Sequence, residues 1–113
     1  GVIGSVAGDR GRKSNYVYGA GKGLIARYAQ GLQHRLAGTG VTVTLIKPGP
    51  TRTPMTAHLG DSGPSLADVA KVAATIVSGM EKRRNVVYAP RRWWVIMMII
   101  RHLPRFIFNR MDI

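Results

Sequence analysis

The run Val41-Thr42-Val43-Thr44-Leu45-Ile46 constrains the fold more than any other stretch of this chain. It is β-branched and mostly apolar, the pattern of a central strand in a sheet covered on both faces. Pro48 and Gly49 terminate it. Apolar residues recur at helical spacing before it, from Tyr16 to about Ala37: Ile25, Tyr28, Ala29, Leu32 and Leu36, with Gly38 and Gly40 as stops. Glycines at 19, 21, 23 and 31 weaken that helix by up to ~1 kcal/mol each relative to Ala. Close packing on the sheet or on a partner subunit is the expected offset. Beyond the strand, Ser65-Leu66-Ala67-Asp68 is a capping-box-like start, and Leu66, Val69, Ala73, Ile76 and Met80 mark one face of a second helix. Asn85-Val86-Val87-Tyr88 is a short strand ended by Ala89-Pro90, and Val2 to Ser5 closes an earlier one. Strands alternating with helices predict an α/β chain with a doubly wound parallel sheet.

Ligands of such sheets bind beyond the carboxyl ends of the strands. Ser5 and Pro48-Gly49 both fall at such ends and can face one crevice. Tyr18 and Lys22, four residues apart, share a helix face. A cation beside a phenol favours the phenolate, which makes a Tyr-Lys pair a candidate acid/base for a substrate oxygen. Ser5 lies thirteen residues before Tyr18, where a hydroxyl can hold the same oxygen. Tyr16 is also close, but only Tyr18 has a lysine four residues on, so Tyr16 reads as a packing or substrate-facing residue. Taken alone, a Tyr-x-x-x-Lys pair is a weak signal, more often a solvated helix face.

The order of these features adds specificity. Serine, Tyr18-Gly19-Ala20-Gly21-Lys22, a strand, then Pro48-Gly49-Pro50-Thr51-Arg52-Thr53 resembles the C-terminal half of the short-chain dehydrogenase/reductase family, over residues 1 to about 90. The resemblance implies the C-terminal half of a Rossmann-type domain and NAD(P)H as cofactor. It also implies Ser5, Tyr18 and Lys22 as the catalytic set, with Lys22 holding the nicotinamide ribose. The backbone after Pro48-Gly49 would contact the nicotinamide carboxamide, and Thr53 would add a hydroxyl. Position 51 is commonly aliphatic in relatives, and Thr51 keeps the β-branch. The family's Gly-rich pyrophosphate turn, which belongs between a strand and a helix, is not in this sequence, so the chain reads as a piece whose cofactor-binding half lies upstream. Relatives often pair through the Tyr-Lys helix, so a homo-oligomer is expected. Met55 to Pro64 corresponds to a loop that folds over substrate; His58 in it reads as an exposed loop histidine.

A narrower resemblance rests on Ser5-Val6-Ala7-Gly8-Asp9-Arg10-Gly11-Arg12, Ser14-Asn15-Tyr16-Val17-Tyr18-Gly19, Lys47-Pro48-Gly49 and Thr53-Pro54-Met55-Thr56. These are similar to a bacterial subgroup that includes decaprenylphosphoryl-2-keto-ribose reductases. It implies an anionic, lipid-linked keto-sugar substrate and a place in cell-envelope synthesis. Reduction of another small or lipid-like carbonyl is the alternative, along with a family member that only senses cofactor.

Seventeen basic residues against five acidic give +12, an excess that suits an anionic partner. Nucleic acid is not expected, because the basic residues are not interleaved with stacking aromatics. The polar, charged loop Ala7 to Asn15 reads equally as a phosphate contact or a solvated loop. Without cysteine there is no disulfide framework and no thiolate metal site, which fits a reducing, cytoplasmic setting. The tail, residues 91–113, holds Trp93 to Ile100, eight apolar residues bracketed by arginines. It is too short to span a bilayer, whose core takes ~20 residues of helix. It is apolar on every side. The expectation is a segment lying on the inner, anionic face of a membrane, with packing against the core or a partner subunit as the alternative. Pro104 should end its helix before Phe106.

Overall fold

Three short parallel strands carry the architecture in the order β1-β2-β3: β1 (Val2–Ile3), β2 (Leu45–Pro48) and β3 (Val86–Ala89). The computed structural model describes residues 1–53, 55–56 and 66–113. His58, Ser65 and most of the Met55 to Pro64 loop lie outside the described residues. Ile3 pairs with Ile46, Lys47 with Tyr88, and Pro48 with Ala89. The middle strand therefore has a neighbour on each side, and its Leu45 and Ile46 are the largest fully buried side chains among the described residues. This explains the apolar, β-branched run. Its first residues are not in the ladder, however. Val41 is exposed, and pairing begins only where Val2 and Val86 lie opposite Leu45. A run with no strand beside it gains little from β-propensity.

α1 (Tyr16–Arg35) takes the expected span, and Gly38 follows it at φ +83. Its buried face is narrow, made of Gly19 and Ala29. Tyr28, expected on that face, is exposed. Gln33 reaches across instead and donates to the carbonyls of Val43 (3.1 Å) and Asn85 (2.8 Å), fixing the far end of the helix to the sheet.

α2 (Val69–Glu81) starts later than expected. Asp68 is its N-cap, without a side-chain capping bond, and Leu66 lies before the helix. The expected face is also rotated. Val72 and Gly79 are buried and Ile76 packs beside Val72, whereas Val69 and Met80 are exposed. The cause is Gly79: a Cβ there would run into the Val87 side chain. The helix turns its smallest residue to the sheet.

The tail forms α3 (Arg92–His102) and α4 (Arg105–Phe108), with Leu103 and Pro104 between them. One side of α3 packs on the sheet: Met97 is buried against Val6 and Tyr88, with Trp93, Ile96 and Ile100 around it. The other side, Trp94, Val95, Met98 and Ile99, is exposed. The all-apolar run is thus divided between a covered and an uncovered face. Among the described residues no helix is long and apolar enough to cross a membrane.

Candidate active site

Backbone packing brings Ser5 to the Tyr18-Lys22 helix. Ser5 follows β1 and opens a 3-10 turn, Val6–Gly8, with its Oγ accepting from the Ala7 N–H at 3.1 Å. That leaves the hydroxyl's own proton available to another oxygen. The turn lies directly on α1. A Cβ on Gly19 would sit 2.8 Å from the Ala7 carbonyl oxygen, and one on Gly8 would sit 2.8 Å from the Lys22 carbonyl carbon. Glycine at these two positions permits the approach. Lys22 completes the junction: its Nζ donates to the Ile3 carbonyl at 3.3 Å and lies 5.7 Å from the centroid of the Tyr18 ring. Tyr18 and Lys22 are half-buried, whereas Tyr16 is exposed.

The turn after β2 is built from backbone bonds. Gly49 N–H donates to the Ala89 carbonyl at 3.0 Å. Thr51 bridges to Ala67 through its neighbours: Ala67 N–H donates to Pro50 at 3.0 Å, and Arg52 N–H donates to Ala67 at 2.9 Å. In a parallel bridge this sends the N–H of Thr51 itself to the opposite edge, where it has no partner among the described residues. The Thr51 hydroxyl turns back to the Gly49 carbonyl at 2.9 Å. The Thr53 N–H donates to the Thr56 hydroxyl at 3.1 Å.

Two features of the site lie outside the sequence expectations. Trp93 lies over Gly49, its indole occupying the space a Cβ would take, and its Nε1 is buried with no partner among the described residues. Behind Pro48, Lys47 Nζ donates to Asp9 Oδ1 at 2.6 Å, and the Tyr88 hydroxyl donates to Asp9 Oδ2 at 2.6 Å. Burial pushes the Tyr88 phenol well above its ordinary range, helped by the Asp9 hydrogen bond and charge and opposed by Arg101. A lysine inside a buried strand was the signal for the ion pair, since it demands a carboxylate. The loop charges are therefore not simply solvated. Arg10 donates to the carbonyls of Ile100 and Leu103, both at 2.7 Å, and stacks 3.8 Å from the Phe108 ring centroid. It ties the loop after Ser5 to the C-terminal end of α3. Lys13 makes an exposed pair with Asp112 at 2.8 Å. A cleft of about 330 Å³ lined by Thr75, Val86, Tyr88 and Trp94 borders α2, β3 and α3, and includes none of the candidate site residues.

Comparison with known proteins gives the family to which this parallel sheet and its Tyr-x-x-x-Lys helix belong. The short chain dehydrogenase family model matches residues 2–63, and the chain belongs to that family. It is 36% identical over 110 residues to an uncharacterised oxidoreductase of Streptomyces coelicolor, covering 97% of this chain and 43% of the relative. The same identity over 110 residues relates it to an uncharacterised oxidoreductase of Mycobacterium tuberculosis, covering 97% of this chain and 44% of that one. The chain thus spans less than half the length of these relatives. Among solved structures, a short chain dehydrogenase from Burkholderia cenocepacia in complex with NADP shares the fold, with TM-score 0.81 and 20% identity over 96% of this chain and 46% of that one. A Sphingobium yanoikuyae short-chain dehydrogenase in complex with NADPH gives TM-score 0.69 and 24% identity over 91% of this chain and 44% of that one.

Proposed function

We propose that this sequence supplies the proton-transfer site of an NAD(P)-dependent oxidoreductase that interconverts a carbonyl and a secondary alcohol. The observation that carries the reading is the junction at α1, where Lys22 binds the Ile3 carbonyl two residues before Ser5 and lies 5.7 Å from the Tyr18 ring. In reduction, Tyr18 donates its hydroxyl proton to the carbonyl oxygen, and the Ser5 O–H hydrogen-bonds the same oxygen as negative charge develops. Oxidation runs the same proton back. NAD(P)H, when bound, supplies the hydride. The residues present fit that group. The Lys22 ammonium has further N–H donors for ribose hydroxyls, and the Thr51 N–H, which has no partner among the described residues, suits a carboxamide oxygen. The NADP and NADPH held by the two solved relatives support the same cofactor class.

For substrate we propose an anionic, lipid-linked carbonyl compound of the polyprenyl-phosphate keto-sugar class, met at the cytoplasmic face of a membrane. Its support is the +12 charge together with the uncovered face of α3, where Trp94, Val95 and Ile99 lie between Arg91, Arg92 and Arg101. The test of the activity is Tyr18→Phe in a full-length enzyme containing this sequence. Turnover should fall by ~10²–10⁴-fold while cofactor binding persists. Wild-type turnover in that variant would refute the assignment.

A further inference from the structure

The Asp9, Lys47 and Tyr88 cluster takes no part in the proton transfer above, yet it joins the segments that deliver it. The Lys47 and Asp9 side chains are only 10% and 3% exposed, and the Asp9 carboxylate takes one hydrogen bond from Lys47 and one from Tyr88. The Lys47 ammonium also reaches the Tyr88 oxygen at 3.5 Å. Asp9 closes the turn that Ser5 opens, its N–H donating to the Val6 carbonyl at 3.1 Å. Lys47 immediately precedes Pro48-Gly49. Tyr88 immediately precedes Ala89, whose carbonyl holds the Gly49 N–H. Buried charged groups that hydrogen-bond one another hold a directional geometry, whereas apolar contacts can slide.

We infer that Asp9, Lys47 and Tyr88 form a buried clamp that fixes the Ser5 turn against the Gly49 to Thr51 turn. It thereby sets the spacing between the group that holds the substrate oxygen and the group that holds the nicotinamide. The three act as positioning residues, and the inference rests on the function proposed above. Misplacing reacting groups by ~1 Å costs on the order of 10²-fold in rate, so the clamp should appear in turnover before it appears in binding.

The test uses a full-length enzyme containing this sequence. Lys47→Met strands a buried carboxylate and Asp9→Asn a buried ammonium, so each should lower both melting temperature and kcat. The double variant Asp9→Asn/Lys47→Met removes both charges and should recover most of the melting temperature. Its kcat should stay roughly 10–100-fold low, with cofactor Kd changed less than about threefold. If kcat recovers together with melting temperature, the cluster is packing alone and the inference is overturned. Should the double variant not fold, Tyr88→Phe decides the matter, since it keeps the ion pair and removes one hydrogen bond. A fall in kcat of about 3–10-fold at unchanged cofactor Kd is then expected, and unchanged kcat overturns the clamp. Tyr18→Phe is measured beside them. If it keeps wild-type turnover, the proposed function falls and the clamp with it. If Tyr18→Phe is inactive while the clamp variants run at the wild-type rate, only the clamp falls.

Discussion

The Ala7 carbonyl oxygen lies 2.8 Å from where a Cβ on Gly19 would be, so the turn carrying Ser5 rests on the backbone of α1. Gly21, two residues on, has nothing within 4 Å of its Cβ position among the described residues. Alanine at the two sites should therefore act in opposite directions. Gly21→Ala gains helix propensity and should stabilise by about 0.5–1 kcal/mol. Gly19→Ala must push the turn away, costing about 1–3 kcal/mol and lowering turnover by displacing Ser5. Thermal unfolding of both variants checks this, and a Gly19→Ala protein as stable as Gly21→Ala would contradict the packing.

Trp93 and Gly49 give a second pair. Gly49→Ala should destabilise strongly, because the new methyl meets the indole. The loss should be smaller in a Trp93→Ala background, where the space is empty. Trp93→Ala alone opens a cavity beside Met97 and should cost about 3 kcal/mol. Trp93→Phe removes a buried donor that has no partner among the described residues, and should change stability by less than about 1 kcal/mol. A double-variant cycle by denaturant unfolding reads the coupling; additive effects would mean the two residues do not meet.

What was legible in the chain was local. Periodicity and glycine stops gave the span of α1, and β-branched runs ending at Pro located β2 and β3, though β2 begins only at Leu45. That the Ser5 turn meets the helix carrying Tyr18 and Lys22 was legible because these segments are close in sequence. Contacts between distant segments were not. Asp9 meets Lys47 across 38 residues and Tyr88 across 79, and a polar loop gives no sign of either. The phase of α2 was missed because a glycine, not a large apolar residue, faces the sheet. The two sides of α3 could not be told apart, because eight consecutive apolar residues carry no period.

Tyr88 predicts an alkaline signature. Its phenol ionises above the ordinary value near 10, first because it is buried and then because of Asp9. A folded-state pKa raised above the unfolded one gives stability that is full below the unfolded value and is lost as pH climbs beyond it. Stability should therefore begin to fall above about pH 10 through this residue. Phenolate absorbance should show a step above the ordinary phenol range that Tyr88→Phe removes. If Tyr88→Phe instead removes absorbance at the ordinary phenol value in the folded protein, the buried hydrogen bond is excluded.

The tail separates two roles that one deletion would confuse. Removing residues 91–113 would strip Met97 and Trp93 from Val6 and Tyr88, so it would damage the core whatever the tail does outside. Point substitutions on opposite faces of α3 avoid this. Trp94→Asp with Ile99→Asp changes only exposed positions and should leave the melting temperature within a few degrees. It should also release a full-length protein from anionic vesicles, where each interfacial arginine contributes ~1 kcal/mol. Met97→Ala should do the reverse, costing about 2–3 kcal/mol of stability while leaving vesicle binding intact. Binding should weaken as salt shortens the ~10 Å screening length at 0.1 M, and vesicles of neutral lipid should bind poorly. If the wild-type protein fails to sediment with anionic vesicles at low salt, the outer face of α3 has another use, and the lipid-linked substrate loses its main physical support.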